Sequence, residues 1–582
     1  MLKIDLEEIA SKEIAARKPN RIHCCTAAGC LSAGAEEGFE QFQKEVDRLG
    51  LTDTVQVAKV GCMRLCCQGP LVKVQIADST NSPFPIEDKH GTIQNNNQIE
   101  ILFHQVHAES AKSIVAGFTG QKVEAVRGDF QSPFFQNQVS VILDNSGNVE
   151  PERIESYIAA KGYKGLYQVL HHFSLDEVIH EITRSGLRGR GGAAYPTGIK
   201  WGTVAKNKSE KKYVVCNADE GDPGAFMNRS LLESDPHRVL EGMAIAGYAL
   251  GSSQGYIYVR GEYPLAVQRL QIAITQANRL GILGTRIFGT PFDFRIDLRT
   301  GAGAFVCGEE TALMASIMGQ RGTPTPRPPY PAEHGLWGMP TLLNNVETYG
   351  NIAAIIRNGS DWFAGMGTQT SKGTKVFCLT GNVVNTGLVE VPLGTPIHKI
   401  VYDIGGGAVE GNTIKAVQTG GPSGGCIPAE MFDVPVDYDS LAKLGSILGS
   451  GGMIALDNTN RMVDVARFFM QFCMDESCGK CIPCRAGTVQ IHRLLRKILA
   501  GSADHADLDR LEQLCVMVKD TSLCGLGQSA PNPTLSTLKY FRSEYESLLK
   551  ESDSTQRINL PLLCSSAQMG NQEQLSAETK GS

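Results

Sequence analysis

The fold is decided by the stretch Gly186-Leu-Arg-Gly-Arg-Gly-Gly-Ala-Ala-Tyr-Pro-Thr-Gly-Ile-Lys-Trp-Gly202. Glycines at this density leave backbone N–H groups free to close around a phosphate, and Arg190 and Lys200 add positive charge. Apolar residues at helical spacing over 175–184 predict that the glycines follow a helix. A Rossmann fingerprint instead joins a strand to a helix, so the stretch predicts a nucleotide-binding fold of another kind. Taken alone, it also fits a surface loop rich in glycine and arginine.

Length and charge set the class of protein. A chain of 582 residues predicts three to five domains of roughly 150 residues each. The 55 basic and 61 acidic residues form no basic footprint for nucleic acid and no polybasic membrane patch. No apolar run reaches the ~18 residues of a membrane span, and the acidic N-terminus does not resemble a signal peptide. The sequence therefore predicts a cytoplasmic protein with no membrane span and no nucleic-acid partner.

Two groups among the 17 cysteines have the spacing of metal ligands. Cytosolic thiols stay reduced, so cysteines cluster there as metal ligands or catalytic groups. Cys25-x4-Cys30 and Cys62-x3-Cys66 follow two predicted strands that flank a predicted helix over 36–49. This βαβ arrangement brings four thiolates to one edge of a sheet and predicts a [2Fe–2S] cluster, with a structural zinc ion as the alternative.

The second cysteine group lies in residues 460–545, a segment with helical periodicity. Cys478, Cys481 and Cys484 follow one another at x2 spacing, and Cys524 lies further along the chain. This count and arrangement of thiolates predicts a [4Fe–4S] cluster. Zinc is again the alternative, because Zn²⁺ also binds four thiolates.

Acidic residues follow the ends of two predicted strands beyond the glycine stretch. The first strand leads to Asp219, Glu220 and Asp222, and the next leads to Glu262. Carboxylates at such places are acceptors for ribityl or ribose hydroxyls, or for a carboxamide. An acidic turn is the alternative at each place.

A proline-rich loop and a pair of amides extend the predicted site. Prolines over 321–331 fix an extended loop that holds Tyr330 rigidly against a planar ligand. Asn344 and Asn345 offer donors and acceptors suited to flavin and phosphate edges.

Residues 180–350 resemble the flavoprotein subunit of respiratory complex I and its soluble relatives. The resemblance is carried by the motifs G-L-R-G-R-G-G-A-A-Y-P-T-G-I-K-W, N-A-D-E-G-D-P-G, Y-V-R-G-E-Y, G-A-G-A-F-V-C-G-E-E-T-A-L and N-N-V-E-T. It implies FMN as a bound cofactor and NADH stacked on the flavin. Tyr195 and Tyr330 match the positions of the aromatic residues that stack NADH, and Asp222 matches a position near the nicotinamide ribose. The resemblance and the motifs together give the predicted cofactor-binding set Gly189, Arg190, Gly191, Gly192, Tyr195, Lys200, Asn217, Asp219, Glu220, Asp222, Tyr258, Gly261, Glu262, Tyr330, Asn344, Asn345 and Thr348.

Two further resemblances complete the predicted fold class, a multi-domain α/β protein. Residues 20–107 resemble the thioredoxin-like [2Fe–2S] ferredoxins, and residues 375–430 resemble a soluble-ligand-binding β-grasp (SLBB) domain that acts as a spacer. The predicted domains are a thioredoxin-like domain (1–107), a linker (108–135), an FMN- and NAD(P)H-binding domain (136–370), a β-grasp domain (371–445), a helical [4Fe–4S] domain (446–550) and a disordered tail (551–582).

The order of these parts predicts an electron converter. A hydride carries two electrons and an iron–sulfur cluster accepts one, so a flavin is needed between them. We expect NAD(P)H to exchange a hydride with FMN, and single electrons to leave through the 478–524 cluster. Hydride transfer on the flavin needs no catalytic side chain from the protein.

Fusion of the [2Fe–2S] domain to the flavin domain argues against ordinary complex I, where the resemblance places them on separate chains. The run Glu220-Gly-Asp-Pro-Gly, with Phe226-Met, resembles the diaphorase subunits of NAD(P)-coupled hydrogenases and formate dehydrogenases, and most of all the cyanobacterial type of bidirectional [NiFe]-hydrogenase. The resemblance implies a hetero-oligomer with small Fe–S diaphorase subunits and a [NiFe]-hydrogenase module. The alternatives are the equivalent flavoprotein subunit of an NAD-dependent formate dehydrogenase or of complex I. From other classes, the alternatives are a non-catalytic Fe–S assembly scaffold and a zinc-stabilised binding module.

Overall fold

The computed structural model describes residues 4–78, 83–85, 92–95 and 98–550. The first described region consists of a helix followed by a five-stranded sheet with its helices. The sheet has the order β2-β1-β3-β5-β4. Strands β1 and β2 are parallel neighbours, and α3 connects them in the chain, as the sequence predicted. Ile22 and Val74 are buried against Phe42 of α3. The elements are α1 (Leu6–Ala15), β1 (Asn20–Cys25), α2 (Ala28–Ser32), α3 (Ala35–Arg48), β2 (Val55–Val60), β3 (Val72–Ile76), β4 (Thr92–Asn95), β5 (Gln98–Phe103) and α4 (Ala108–Gly117).

Helix α1 does not belong to the first sheet, although the predicted domain 1–107 includes it. It packs against a helix of the second region, where Leu6 and Ala10 join the same apolar cluster as Tyr157. Glu13 of α1 lies 2.7 Å from the guanidinium of Arg153. The boundary is therefore corrected, because the apolar face of α1 is buried by the second region.

The second region is built on a four-stranded parallel sheet of order β8-β7-β6-β9. The two central strands, β6 and β7, are largely buried, as expected for a parallel sheet covered by helices, and Val215 and Ile257 are fully buried. The chain leaves β8 and returns on the far side of β6, which makes the edge between β6 and β9 a topological switch point. The elements are α5 (Pro133–Gln136), α6 (Ile154–Ala159), α7 (Lys164–His172), α8 (Leu175–Arg184), α9 (Thr197–Lys206), β6 (Tyr213–Ala218), α10 (Met227–Ser234), α11 (Pro236–Leu250), β7 (Gln254–Arg260), α12 (Pro264–Leu280), β8 (Arg295–Gly301), α13 (Glu310–Ile317), β9 (Thr341–Asn345), α14 (Val346–Asn358) and α15 (Ser360–Ala364).

A third region forms a mixed five-stranded sheet of order β11-β10-β14-β12-β13. Its central strand β14 lies beyond residue 445, where the sequence predicted the sheet domain to end. Because β14 pairs with both β10 and β12, this region extends to Asp457. A short π-helical segment, Lys399–Ile404, lies between β11 and β12. The elements are β10 (Thr374–Gly381), β11 (Gly387–Pro392), β12 (Ile414–Thr419), β13 (Gly425–Pro428), α16 (Tyr438–Lys443) and β14 (Gly452–Asp457).

The last described region is the predicted helical bundle. Helix α18 packs between α17 and α19 around a core that includes Ile491, Leu495 and Leu511. The elements are α17 (Met462–Asp475), α18 (Ile482–Leu499), α19 (His505–Thr521), α20 (Gly525–Ser529), α21 (Asn532–Tyr540) and α22 (Arg542–Glu546). Within the described ranges, no helix is both long enough and apolar enough to span a membrane. The tail that was predicted to be disordered lies outside the described residues.

A buried ion pair joins the second and third regions. The ammonium of Lys375 on β10 pairs with the carboxylate of Glu347 on α14, and neither side chain is more than 2% exposed. Lys375 also donates to the carbonyl of Ser450 at 2.6 Å, and Glu347 accepts the N–H of Val376 at 3.0 Å. Both charges are therefore matched by further hydrogen bonds, which a buried pair requires.

We predict that K375M lowers the stability of the protein by about 3–5 kcal/mol, because it leaves the carboxylate of Glu347 buried and unpaired. Thermal unfolding followed by circular dichroism would show an earlier transition. K12A, which removes an exposed pair between Lys12 and Glu8, is the control and is expected to cost about 0.3–0.5 kcal/mol. Equal transitions for K375M and K12A would contradict the prediction.

Candidate functional site

The glycine stretch follows α8, as predicted, and folds back onto the edge between β6 and β9. Gly189 donates its N–H to the carbonyl of Tyr195 at 2.9 Å, and the N–H of Arg190 donates to the Thr348 hydroxyl at 2.9 Å. A Cβ on Gly191 would lie 3.1 Å from the Cβ of Asn345, so any larger residue would crowd Asn345. The structure thus brings the predicted residues of the loop together with Asn345 and Thr348.

The side chain of Arg190 does not point its charge toward a ligand. Its guanidinium donates to the carbonyls of Arg188 at 3.0 Å and Lys372 at 2.7 Å, and to the Tyr438 hydroxyl at 3.2 Å. The side chain is completely buried. The prediction that Arg190 supplies charge to a phosphate is therefore corrected, because both Nη atoms of the buried guanidinium bind protein oxygens and only Nε has no partner.

Lys200 is the second predicted cation of the glycine stretch. Its ammonium lies 3.3 Å from Glu310, whose other oxygen lies 2.5 Å from the guanidinium of Arg327. Burial acts to raise the pKa of Glu310, but Lys200 and Arg327 together hold it below its ordinary value. Glu310 was not among the predicted ligands, although its position at the first residue of α13 in the G-E-E-T motif was a usable signal.

Unpartnered polar atoms lie at the ends of the central strands. Asp219 Oδ2 and Arg260 Nη1 are buried and have no hydrogen-bond partner. Burial raises the pKa of Asp219 to about 7, although Arg260 at 3.8 Å acts to lower it. Most buried polar groups in proteins have a hydrogen-bond partner, so these two atoms at neighbouring strand ends are candidates for contact with a polar ligand.

The amide of Asn217 links this strand end to the next motif. It donates to the carbonyl of Gly308 at 2.8 Å and accepts the N–H of Asp219 at 3.0 Å. The site therefore includes the turn Phe305–Gly308, which the sequence analysis did not assign as a ligand-binding segment.

Two of the predicted carboxylates bind other parts of the protein. Glu220 accepts the N–H groups of Asn228 at 3.1 Å and Arg229 at 3.0 Å at the start of α10, and burial raises its pKa to about 7 despite these bonds. Asp222 accepts the hydroxyl of Ser450 at 3.0 Å, and burial raises its pKa to about 6. Glu220 therefore fixes the start of α10, and Asp222 fixes the segment that contains Ser450, next to the site.

Other predicted ligands also have protein partners. The hydroxyl of Tyr258 lies 2.9 Å from that of Ser316, and the tyrosine is buried beneath the strand ends. The side-chain nitrogen of Asn344 donates to the Leu343 carbonyl at 3.1 Å, and its oxygen accepts from Trp201 Nε1 at 3.0 Å. Glu262 is half exposed and accepts from Arg260 at 2.7 Å. Direct contact of these side chains with a cofactor stays a prediction, as does that of Gly261, whose N–H donates to the Gly301 carbonyl at 3.2 Å.

Two exposed aromatic rings stand near the site. Tyr195 on the glycine loop and Tyr330 on the proline-rich loop are each 53% exposed. Large aromatic side chains with this much free surface can stack on a planar ligand.

The second cysteine group surrounds one cavity. Cys478, Cys481, Cys484 and Cys524 all line a space with an empty volume of about 280 Å³. Ser477, Lys480 and Val306 are among the other residues of its wall. Four thiols that line a single space fit a [4Fe–4S] cluster.

The first cysteine group also converges. The sulfur atoms of Cys62 and Cys66 are 3.9 Å apart. Hydrogen bonds from the thiols of Cys30 and Cys62 hold the pKa of Cys25 well below its ordinary value, although burial opposes them. The four predicted ligands thus lie together, as a [2Fe–2S] cluster requires.

Helix α10 of the second region binds both cysteine loops of the first sheet through hydrogen bonds. The N–H of Cys62 donates to the Ser234 hydroxyl at 2.8 Å, and the N–H of Ala28 donates to Glu233 at 2.9 Å. Among the residues that the structure describes, no group of three or more His, Cys, Asp or Glu side chains is arranged around a single metal ion. A cluster differs from such a site because its four thiolates are shared among two or four iron atoms and do not all bind one ion.

One turn of chain separates the strand ends from the second cysteine cavity. The carbonyl of Gly308 accepts from Asn217, whereas Val306 lines the cysteine cavity. The N–H of Phe305 donates to Glu476 at 2.9 Å, two residues before Cys478. The two candidate sites therefore share Phe305–Gly308 as a common wall.

Comparisons with known proteins identify relatives of both sites. Residues 182–354 match the family described as the Nuo51 FMN-binding domain, and residues 464–548 match the NADH-ubiquinone oxidoreductase-F iron-sulfur binding region. The chain is 56% identical over 411 residues to the NADP-reducing hydrogenase subunit HndC of Solidesulfovibrio fructosivorans, covering 71% of this chain and 84% of that protein. It is 42% identical over 411 residues to the F 2 subunit of the NADH-quinone oxidoreductase of Rhizobium meliloti (strain 1021), covering 71% of this chain and 98% of that protein.

A known structure resembles nearly the whole chain. The crystal structure of an NAD+-reducing [NiFe]-hydrogenase in the air-oxidized state contains a chain that matches with a TM-score of 0.63 and 28% sequence identity. The match covers 94% of this chain and 88% of that one. The fold predicted from the sequence, a multi-domain α/β protein with FMN-binding and [4Fe–4S] domains, is thereby confirmed.

We predict that Y438F weakens FMN binding about fivefold to tenfold. The Tyr438 hydroxyl donates to the Gly189 carbonyl at 3.1 Å and accepts from Arg190 at 3.2 Å, so its loss frees the glycine loop to move. The ring, which the Arg188 guanidinium covers at 4.6 Å, is kept. Titration of flavin fluorescence measures the dissociation constant, and Y402F, in the same region, is the control. An unchanged dissociation constant in Y438F would refute the role of this hydroxyl.

Proposed function

We propose, since the chain belongs to the family that includes the F subunits of NADH-quinone oxidoreductases and the hydrogenase subunit HndC, that it is an NAD(P)H-oxidising and NAD(P)+-reducing flavoprotein. It exchanges a hydride between NAD(P)H and FMN, and passes single electrons to a [4Fe–4S] cluster. FMN, when bound, accepts two electrons together and releases them one at a time.

The turn Phe305–Gly308 is the observation that carries this proposal. Its Gly308 end contacts the strand ends through Asn217, and its Val306 side chain lines the cavity of four cysteines. A flavin held at the strand ends and a cluster held in that cavity would therefore lie on opposite sides of one turn. Such a short separation suits direct transfer of single electrons.

Side chains of this chain bind and orient the reactants. Asp219 Oδ2 is free to accept from a cofactor hydroxyl or amide, and Lys200 places a positive charge beside the glycine loop. Tyr195 and Tyr330 are exposed for stacking on NAD(P)H. The buried strand ends exclude water from the reacting atoms, and hydride transfer needs no acid or base from the protein.

A [2Fe–2S] cluster on Cys25, Cys30, Cys62 and Cys66 is a further part of the proposal. Convergence of the four thiols and their docking on α10 support it.

The physiological partners are proposed from the relatives. The chain is proposed to assemble in the cytoplasm with small Fe–S subunits and a [NiFe]-hydrogenase module. The names of the hydrogenase subunit HndC and of the NAD+-reducing [NiFe]-hydrogenase support the hydrogenase part of this proposal. The 42% identity to the F 2 subunit of an NADH-quinone oxidoreductase makes assembly into such an oxidoreductase the second candidate.

The hydride step and the one-electron step can be separated by variants. We expect anaerobic NADH or NADPH to bleach the flavin absorbance of the purified wild-type chain and to produce the EPR signal of a reduced [4Fe–4S] cluster. C478S should still be bleached but should lack that signal, because it loses one thiolate ligand. C473S changes a buried cysteine that is not among the cavity-lining residues, and should behave as wild type. A colourless wild-type chain that neither nucleotide reduces would refute the proposed function.

The first cysteine group has its own test. We predict that C62S lowers the iron and acid-labile sulfide content of the purified chain by about two atoms each, the content of one [2Fe–2S] cluster. C67S is the matched control, since Cys67 is exposed and next to a ligand in sequence but is not one of the four. Equal iron content in C62S and wild type would rule out this cluster.

A further inference from the structure

The wall of the second cysteine cavity contains a hydroxyl close to one of the sulfur atoms. Ser477 lines the cavity, and its Oγ lies 3.3 Å from the Sγ of Cys484. Cys484 is buried at the start of α18, with only 5% of its surface exposed. Among the residues that line this cavity, Ser477 is the one with a hydroxyl group.

A second hydrogen bond orients this hydroxyl. The N–H of Gly479 lies 3.3 Å from Ser477 Oγ and can only donate to it. A serine hydroxyl has one proton and two lone pairs, so accepting from Gly479 leaves the proton free. A cysteine that binds iron is a thiolate and can only accept. The proton of Ser477 is therefore directed at the sulfur of Cys484.

The cations near the cavity direct their donors elsewhere. The ammonium of Lys480 donates to the carbonyl of Pro324, and the guanidinium of Arg485 donates to the carbonyl of Gly479 at 3.0 Å. The hydroxyl of Ser477, in contrast, lies within hydrogen-bond distance of a ligand sulfur.

We propose that Ser477 donates a hydrogen bond to the Cys484 thiolate and thereby raises the reduction potential of the [4Fe–4S] cluster. This inference rests on the proposed function, since it requires the cluster. An added electron increases the negative charge on the cluster sulfurs, so a hydrogen bond to a thiolate is stronger in the reduced state. Hydrogen bonds to the sulfurs of a cluster are among the factors that set its potential.

Ser477 is a positioning residue in this proposal and does not bind iron. By favouring the reduced cluster, it makes electron transfer from the reduced flavin easier and the return of electrons to NAD(P)+ harder. The same hydroxyl therefore sets the balance between the two directions of the reaction.

The test is an EPR-monitored redox titration of the full-length chain with its cofactors. The signal followed is the one that C478S abolishes. We expect S477A to shift the one-electron equilibrium of this cluster toward the oxidised form about tenfold, which corresponds to a midpoint about 59 mV lower. S477T keeps a hydroxyl, so its midpoint should lie close to that of wild type.

S529A is the matched control, because the Ser529 hydroxyl donates to the Gly525 carbonyl at 2.6 Å and is not among the cavity-lining groups. Its midpoint should equal that of wild type. An S477A midpoint equal to that of wild type would overturn the proposal. Loss of the cluster in S477A would also overturn it, since Ser477 would then hold the cluster instead of tuning it. A wild-type chain without any such signal would instead refute the proposed function.

Discussion

The first turn of α14 is the part of the molecule on which the rest of the site depends. Asn345 caps this helix by accepting the N–H of Glu347 at 2.8 Å, and it also packs against Gly191 of the glycine loop. Glu347 then pairs with the buried ammonium of Lys375, and Thr348 accepts the N–H of Arg190. One turn therefore fixes the switch point of the parallel sheet, the glycine loop and the third sheet relative to each other.

Burial of acidic groups around this turn shows why the site favours a polar ligand. Desolvation raises the pKa values of Asp219 and Glu220 to about 7 and that of Asp222 to about 6. Glu220 and Asp222 are compensated by protein donors, but one oxygen of Asp219 is not. The protein thus carries an unmet hydrogen bond at the strand ends, and a ligand that supplies a donor there relieves that cost.

Sequence reasoning was most successful where the signal is local. Cysteine spacing placed Cys478, Cys481 and Cys484 together because short spacings leave few conformations, and strand periodicity placed Asn217 and Asp219 at a sheet edge. It was wrong about the side chain of Arg190, because its partners, Lys372 and Tyr438, are far away in the sequence. It assigned no role to the third sheet for the same reason. Tyr438 contacts the glycine loop, and Ser450 contacts Asp222. Each contact joins segments that are more than two hundred residues apart in the sequence.

The position of α1 limits how the molecule can be divided. The helix precedes the first sheet in the chain but buries Leu6 and Ala10 in the apolar cluster that contains Tyr157, so the polypeptide leaves the second region and returns to it. The first sheet, with its group of cysteines, is therefore inserted into the second region and does not simply precede it. A recombinant fragment that begins at β1 would lack part of its neighbour's interior, and excision of residues 20–103 would have to rejoin the chain on both sides.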